Sequence, residues 1–496
     1  MESTSIRMEA MSTQPIGPAL RHSLGVSISG CLMGVTVAYS AGALDDMEDD
    51  FFLEKPSTTQ SMIFSSLSAL VAFVAGLTFG RFVVHIGKKH ALILSSIFYF
   101  LGYSLIAYSK QYVQLFIGRG ITGLGLTLTC LALSPYISEI SPTKHRGKFA
   151  SIMQLQVQLG VLVINVLAVL DLKFRWTASI TSAIAVLNLF FIAVAPETPR
   201  WLISKAKLRE AEEVLDLLME EDPDLVHDEI EVLQRSCRVE NAPQDQGRVP
   251  FFSAQNLKPL AIMCCIMIFQ QLTAINAVLS DSNRIFKEMR FDHPRLCTAG
   301  MSAAFLLFTF GSAALTDKAG RKLLLVVFAV LISFSLGLFS LAGFLKKGLH
   351  MSLLTLSLAS YVFSFSMAWG SIPWVLSGEL FTVENQGRAI SIVSGVNWIF
   401  NFLTVFTWAP LTTALSARWV FLIYSVLMIV GAVFVAVFLP ETRGLTLHQV
   451  TDLFAADSPR YVTIVHRVSS TANESSAGSV KGGSVGRTAY NQPHMF

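Results

Sequence analysis

Charge is what this sequence has least of. Only 14% of its 496 residues are Asp, Glu, Lys or Arg, against about 25% in soluble domains, so it lacks the polar surface to face water on every side. The excess of base over acid is a formal +3, too small to point to nucleic acid or to any acidic partner. Cysteine is also sparse. Cys31, Cys130, Cys264 and Cys265 fall in apolar runs, Cys237 in a polar stretch and Cys297 at the start of a run. None has the spacing of a metal ligand, so they read as small apolar side chains. The first twenty or so residues have no apolar core, which excludes a cleavable signal sequence. No nucleophile–base set and no phosphate-binding loop is present, so nothing argues for an enzyme or a cofactor.

Apolar residues are abundant, at 52%. Runs such as Ala91–Ser109, Phe149–Leu170 and Leu323–Phe344 approach or exceed the roughly 20 residues that cross a bilayer as a helix. Twelve such spans are expected, over 23–44, 61–83, 90–108, 113–137, 149–171, 175–195, 258–280, 298–316, 322–344, 351–377, 388–411 and 416–439. The polar stretch 196–257 divides them six and six, and its Leu208–Gln234 alternates acidic and apolar residues as short amphipathic helices do, with a break at Pro223. The domain division is therefore residues 1–22, a first bundle over 23–195, the linker 196–257, a second bundle over 258–445, and a tail over 446–496. That tail, rich in Ser, Gly and Thr, reads as disordered.

Charge sets an orientation. Arg81, Lys88 and Lys89 follow span two, Lys144, Arg146 and Lys148 follow span four, and Lys318, Arg321 and Lys322 follow span eight. The loop after span one is acidic instead, with Asp45, Asp46, Glu48, Asp49, Asp50 and Glu54. Positive charge stays inside, which puts both termini in the cytoplasm and leaves the sequon at Asn473 away from the glycosylation enzyme. One loop disagrees: Arg284, Lys287, Arg290 and Arg295 follow span seven, on the side expected to be outside.

The two sixes are copies. Gly87-Lys-Lys89 returns 233 residues later as Gly320-Arg-Lys322, Glu139 returns after 240 as Glu379, and Pro196-Glu-Thr198 after 244 as Pro440-Glu-Thr442. Repeated bundles of this kind belong to transporters that rock about a midplane site. The expected fold is an all-α membrane protein, twelve transmembrane helices in two pseudo-symmetric six-helix bundles.

Neutral amides lie within these spans: Gln154 in span five, Gln270, Gln271 and Asn276 in span seven, Asn397 in span eleven, with Asn165 and Asn401 nearby. A side-chain amide both donates and accepts without the cost of a buried charge, which suits a ligand rich in hydroxyls. Gln270 and Asn276 are about 240° apart around a helix, so both face one ligand only if span seven is broken.

Further motifs stand in a fixed order: Gly118-Arg119, Tyr136-x-x-Glu139 with Arg146-Gly147, PETPRWL at 196–202, QQLTAIN at 270–276, DKAGRK at 317–322, IPW at 372–374, Asn397-Trp398, and PETRGLTL at 440–447. On these the chain, over about residues 20–450, resembles the sugar porter family of the major facilitator superfamily, which includes facilitative glucose and insect trehalose transporters. The resemblance implies the major facilitator fold and a sugar site of Gln154, Gln270, Gln271, Asn276 and Trp374, with Asn397 and Trp398 in a neighbouring signature. It also implies gate and salt-bridge roles for Arg119, Glu139, Arg146, Glu197, Arg200, Asp317, Arg321, Glu379, Arg388, Glu441 and Arg443. Glu139 with Arg146 pairs or caps neighbouring helices, and Arg388 substitutes for an arginine missing at Gln386. Departures from the family are Val84, Ala274, Ser280-Asp281, Phe305, Ala368, Ser371 and Gln386. Span one, read as Ser23–Gly42, has no acid to partner Arg119, so a proton-independent carrier is expected, with Asp281 a solvated acid near a span end. The function implied is passive transport of trehalose or a hexose by a monomer in the plasma membrane. A non-transporting sugar receptor and a carrier of polyols or other solutes remain as alternatives.

Overall fold

The structure is a computed structural model that describes residues 17–47, 50, 53, 55–141, 146–219, 223–241, 251, 253–288, 291–344, 349–381, 383–443, 449, 453 and 454. Most of the tail, with Asn473, lies outside these residues, as do Glu48, Asp49 and Glu54 and the side chains of Arg146 and Asp317.

All elements among the described residues are helical. The first half contains span one (Gly17–Val26 and Ile28–Met47), two (Thr58–Ile86), three (Lys88–Ala107), four (Tyr112–Ile140), five (Arg146–Val169) and six (Phe174–Val194). The second contains span seven (Ala254–Gln271 and Ile275–Ser280), eight (Pro294–Ala319), nine (Arg321–Ala342), ten (Leu349–Ser364, a π-helical turn Phe365–Trp369, then Ile372–Glu379), eleven (Val383–Leu415) and twelve (Ala417–Phe438). Between the halves lie the linker helices Pro199–Ser204, Leu208–Met219 and Pro223–Asn241. Eleven stretches are long and apolar enough to cross a membrane, and span eight adds a twelfth helix of 26 residues. Side chains such as Leu77, Val186, Phe310 and Val437 are exposed, as a lipid-facing surface requires.

The packing obeys the sequence repeat. Span three lies on four and six as nine lies on ten and twelve, and one lies on five as seven lies on eleven. The halves meet along two matching seams, span two with eleven and span five with eight. Asn165 belongs to the second seam, where its Nδ2 donates to Ser302 Oγ at 2.8 Å.

Three features differ from the sequence reading. Span one runs on to Met47, so Asp45 and Asp46 occupy its last turn rather than a loop. Cys237 is not in a loop but is buried in a linker helix, beside Leu202 and Ala211. Span ten keeps a hinge without the family's Gly and Pro: Gly370 N–H reaches back five residues to Phe365 O at 2.9 Å, a π-turn, which is common where helices bend or bind.

Candidate functional site

Span seven is broken, as its amide spacing demands. The backbone leaves the helix after Gln271 and re-enters it at Ile275, through an Ala274 held in the left-handed region at φ 66°. A residue with a Cβ adopts that region at a cost of about 1–2 kcal/mol, so surrounding bonds must hold it. Thr273 Oγ1 donates to Gln270 O at 2.7 Å, and Tyr361 in span ten donates to Thr273 O at 2.8 Å. The break brings Gln270, Gln271 and Asn276 to one cavity.

That cavity lies between the halves and is lined by residues of both, a common position for small-molecule sites. Gln154, Val157, Gln158 and Val161 line it from span five; Met33 and Val37 from span one; Gln270, Gln271, Ile275, Asn276 and Leu279 from span seven. Phe305, Phe365, Trp374, Asn397, Trp398 and Asn401 complete the wall from spans eight, ten and eleven. All six sugar-site residues expected from the sequence are therefore brought together.

The amides form a network. Gln270 Nε2 donates to Trp369 O at 2.7 Å, a carbonyl whose helical donor four residues on would be Pro373, which has no N–H, and Gln270 Oε1 accepts from Asn397 Nδ2 at 2.7 Å. Asn276 Nδ2 donates to Gln271 Oε1 at 2.7 Å. Gln270 thus ties the breaks of spans seven and ten to span eleven. Gln158, which lines the cavity, has a buried Oε1 without a protein partner. Gln158 escaped the sequence reading, although it stands one helical turn from Gln154 and so on the same face.

The end of the molecule that carries the linker helices holds most of the expected gate charges. Glu197 accepts from the backbone N–H of Lys89 at 3.1 Å, and Glu441 from those of Arg321 at 3.0 Å and Lys322 at 3.1 Å. Each carboxylate thereby caps the start of a span, three or nine, where free N–H groups and the helix dipole favour negative charge. The span is entered through a glycine at positive φ, Gly87 at 93° or Gly320 at 89°. A Cβ on either would stand 2.6 or 2.7 Å from the capping carboxylate, which is why both copies of the repeat keep glycine there.

The expected Glu139–Arg146 contact lies outside the described side chains; other ion pairs are seen at this end. Glu139 pairs with Lys88 at 2.6 Å, and Glu379 with Arg321 at 3.0 Å and with Thr442 Oγ1 at 2.9 Å. Arg388 is exposed and does not replace the missing arginine; Gln386 instead donates to Gly378 O at 2.9 Å. These described bonds lie within one half each, and Glu441 also accepts from Arg443 N–H at 3.1 Å. They fix loops to span ends in this state rather than joining the halves. Arg119 is fully buried and bonds Phe64 O and Thr36 O at 3.0 Å and Ser40 Oγ at 3.3 Å. Among the described residues no carboxylate reaches it.

Comparisons with known proteins agree with this geometry. The family model "Sugar (and other) transporter" matches residues 23–454. The chain belongs to the sugar (and other) transporter family. It is 27% identical over 456 residues to the facilitated trehalose transporter Tret1 of Apis mellifera ligustica, covering 91% of this chain and 89% of that one. It is 30% identical over 441 residues to the sugar transporter ERD6-like 6 of Arabidopsis thaliana, covering 86% and 89%. Among solved structures, the proton:xylose symporter XylE bound to 6-bromo-6-deoxy-D-glucose matches with a TM-score of 0.76 at 23% identity, over 88% of this chain and 99% of that one. That likeness shows the major facilitator fold.

In this sugar transporter family member the loop that broke the charge rule has a structural reason. At the end opposite the linker, Arg295 bonds Asp46 at 2.8 Å and also contacts Asp171, while Lys287 bonds Asp45 at 3.0 Å. Asn283 Nδ2 donates to Ala41 O at 2.9 Å. All four contacts join the second half to the first, so Lys287 and Arg295 are counter-charges of the acidic end of span one. Beside this clasp lies a second cavity, where Asp281 accepts from Trp408 Nε1 at 3.1 Å. Asp281 is thus a bonded wall residue, not merely a solvated acid. Partly exposed pairs contribute up to about 1 kcal/mol each, so Arg295→Ala is expected to raise the open population of this end roughly fivefold. Labelling of a cysteine placed at Ser280 by an impermeant maleimide reads that change, and equal labelling rates with and without Arg295 would contradict it.

Proposed function

We propose that this chain is a facilitative carrier of a neutral sugar, trehalose or a hexose, working by alternating access in the plasma membrane as a monomer and without a cofactor. The observation that carries this reading is the amide-lined cavity at the junction of the two halves. Its polar groups are uncharged and two-way, matched to hydroxyls, and Trp374 and Trp398 offer apolar rings for a sugar's C–H face. Gln154, Gln270, Gln271, Asn276, Trp374 and Asn397 are the binding residues of this proposal, and names among the relatives supply trehalose as the first candidate.

The positive charge at the linker end supports a cytoplasmic position for it and for both termini. The Asp45–Lys287 and Asp46–Arg295 contacts then close the outside, while the linker-end pairs hold within each half, an arrangement that favours entry from the cytoplasm in this state. Passive transport follows from the partners of Arg119: carbonyls and hydroxyls do not titrate, so Arg119 lacks a proton-switched carboxylate. Counterflow with glucose, trehalose and inositol tests the substrate. Exchange of trehalose or glucose is expected; exchange of inositol alone would move the assignment to a polyol carrier, and binding without exchange to a receptor.

A further inference from the structure

The amides seen bonded in the cavity already use part of their capacity on one another. Gln270 bonds Trp369 O and Asn397, and Asn276 bonds Gln271. Gln158 is different. Its side chain is buried, with 5% of the residue exposed, it lines the cavity, and its Oε1 has no hydrogen-bonding partner. A buried acceptor without a protein partner is costly unless a bound molecule donates to it. Around it the wall is apolar: Val157 and Val161 on its own span, Met33 and Val37 on span one. Phe305 and Phe365, with ring centroids 5.7 Å apart, face the same space from the second half and offer no conventional partner.

The Gln158 carbonyl needs a donor from the ligand. An alkyl group supplies none, and an ammonium brings charge among valines and phenyl rings; a hydroxyl donates without charge.

We propose that Gln158 is a substrate-positioning residue, whose side-chain carbonyl accepts a hydrogen bond from one particular hydroxyl of the transported solute. It thereby selects among sugars by hydroxyl pattern, and it anchors the solute to the first half while the second-half amides hold the other face. This assignment rests on the carrier reading given above. A site built to bond a hydroxyl discriminates strongly against the analogue that lacks it.

Uptake of a series of singly deoxygenated analogues tests the assignment, in a host without its own sugar carriers, for the unaltered protein, Gln158→Leu and Gln158→Met. In both variants KM is expected to rise about tenfold, with a smaller change in maximal rate. One deoxy analogue, poorly carried by the unaltered protein, is expected to lose its disadvantage in the variants. The ligand-free melting temperature of Gln158→Leu is expected to equal or exceed that of the unaltered protein, because an unpaired acceptor has been removed. An unchanged KM with an unchanged analogue profile would overturn the proposal. So would a lower ligand-free melting temperature or misfolding in both variants, since either means that Gln158 is structural. Normal sugar flux with unaltered variant kinetics removes this proposal alone; absence of any sugar flux in the unaltered protein removes the carrier reading and this proposal with it.

Discussion

Gly160→Ala is expected to lose most of the folded protein, and Gly34→Ala to do the same. Spans one and five cross so closely that a Cβ on Gly160 would stand 1.9 Å from Cys31 O, and one on Gly34 would stand 1.9 Å from Val157 O. Both obstacles are backbone, which cannot rotate aside as a long side chain does. The helices would have to part by more than 1 Å, roughly, to restore an ordinary contact, and close-packed interiors resist such shifts. Overpacking typically costs about 1–3 kcal/mol and sometimes more; with main chain as the obstacle, about 3 kcal/mol or more is expected here. The gain in helix propensity, about 1 kcal/mol, does not offset it. Small residues at membrane helix crossings serve this close approach. Gly76→Ala is the control, since nothing lies within 4 Å of its added Cβ. Monodisperse yield in detergent and substrate uptake should both collapse for Gly160→Ala and stay normal for Gly76→Ala. Wild-type yield and uptake in Gly160→Ala would contradict the packing described.

Gln270→Ala is expected to lower uptake, as kcat/KM, about a hundredfold. The substitution strips Trp369 O of its 2.7 Å donor and Asn397 Nδ2 of its 2.7 Å acceptor, leaving Asn397 only the thioether of Met267 at 3.5 Å. Each buried group left unpaired costs about 1–3 kcal/mol, and two such groups together account for a hundredfold loss. The same side chain holds the broken segment of span seven to the π-turn of span ten, so positioning of Gln271, Asn276 and Trp374 fails with it. Gln270→Glu keeps the acceptor but turns a carboxylate oxygen toward the carbonyl of Trp369, and a comparable loss is expected. Uptake within about twofold of the unaltered protein in both variants would remove Gln270 from its central place.

How far the sequence could lead is seen residue by residue. The break in span seven was legible because Gln270 and Asn276 cannot share a straight helix face. The repeat was legible in Gly87 and Gly320 and in the two Pro-Glu-Thr segments, and their capping geometry is the same in both halves. Lys88 as a partner of Glu139 was not legible: it stands 51 residues back and is brought near by the packing of span four on span three. The cations after span seven depart from the positive-inside rule; only the docking of the two halves shows Lys287 and Arg295 facing Asp45 and Asp46 across one contact. Gln158 was overlooked because its neighbours are apolar, although the four-residue step from Gln154 places both on one face.

Flux of radiolabelled trehalose and glucose into proteoliposomes, with and without an imposed pH gradient, tests the central claim most directly. Saturable entry of one of these sugars is expected, ending at equal concentrations inside and outside and indifferent to the gradient. Accumulation above the external concentration under an inward proton gradient, or the absence of sugar entry by correctly folded protein, would contradict it.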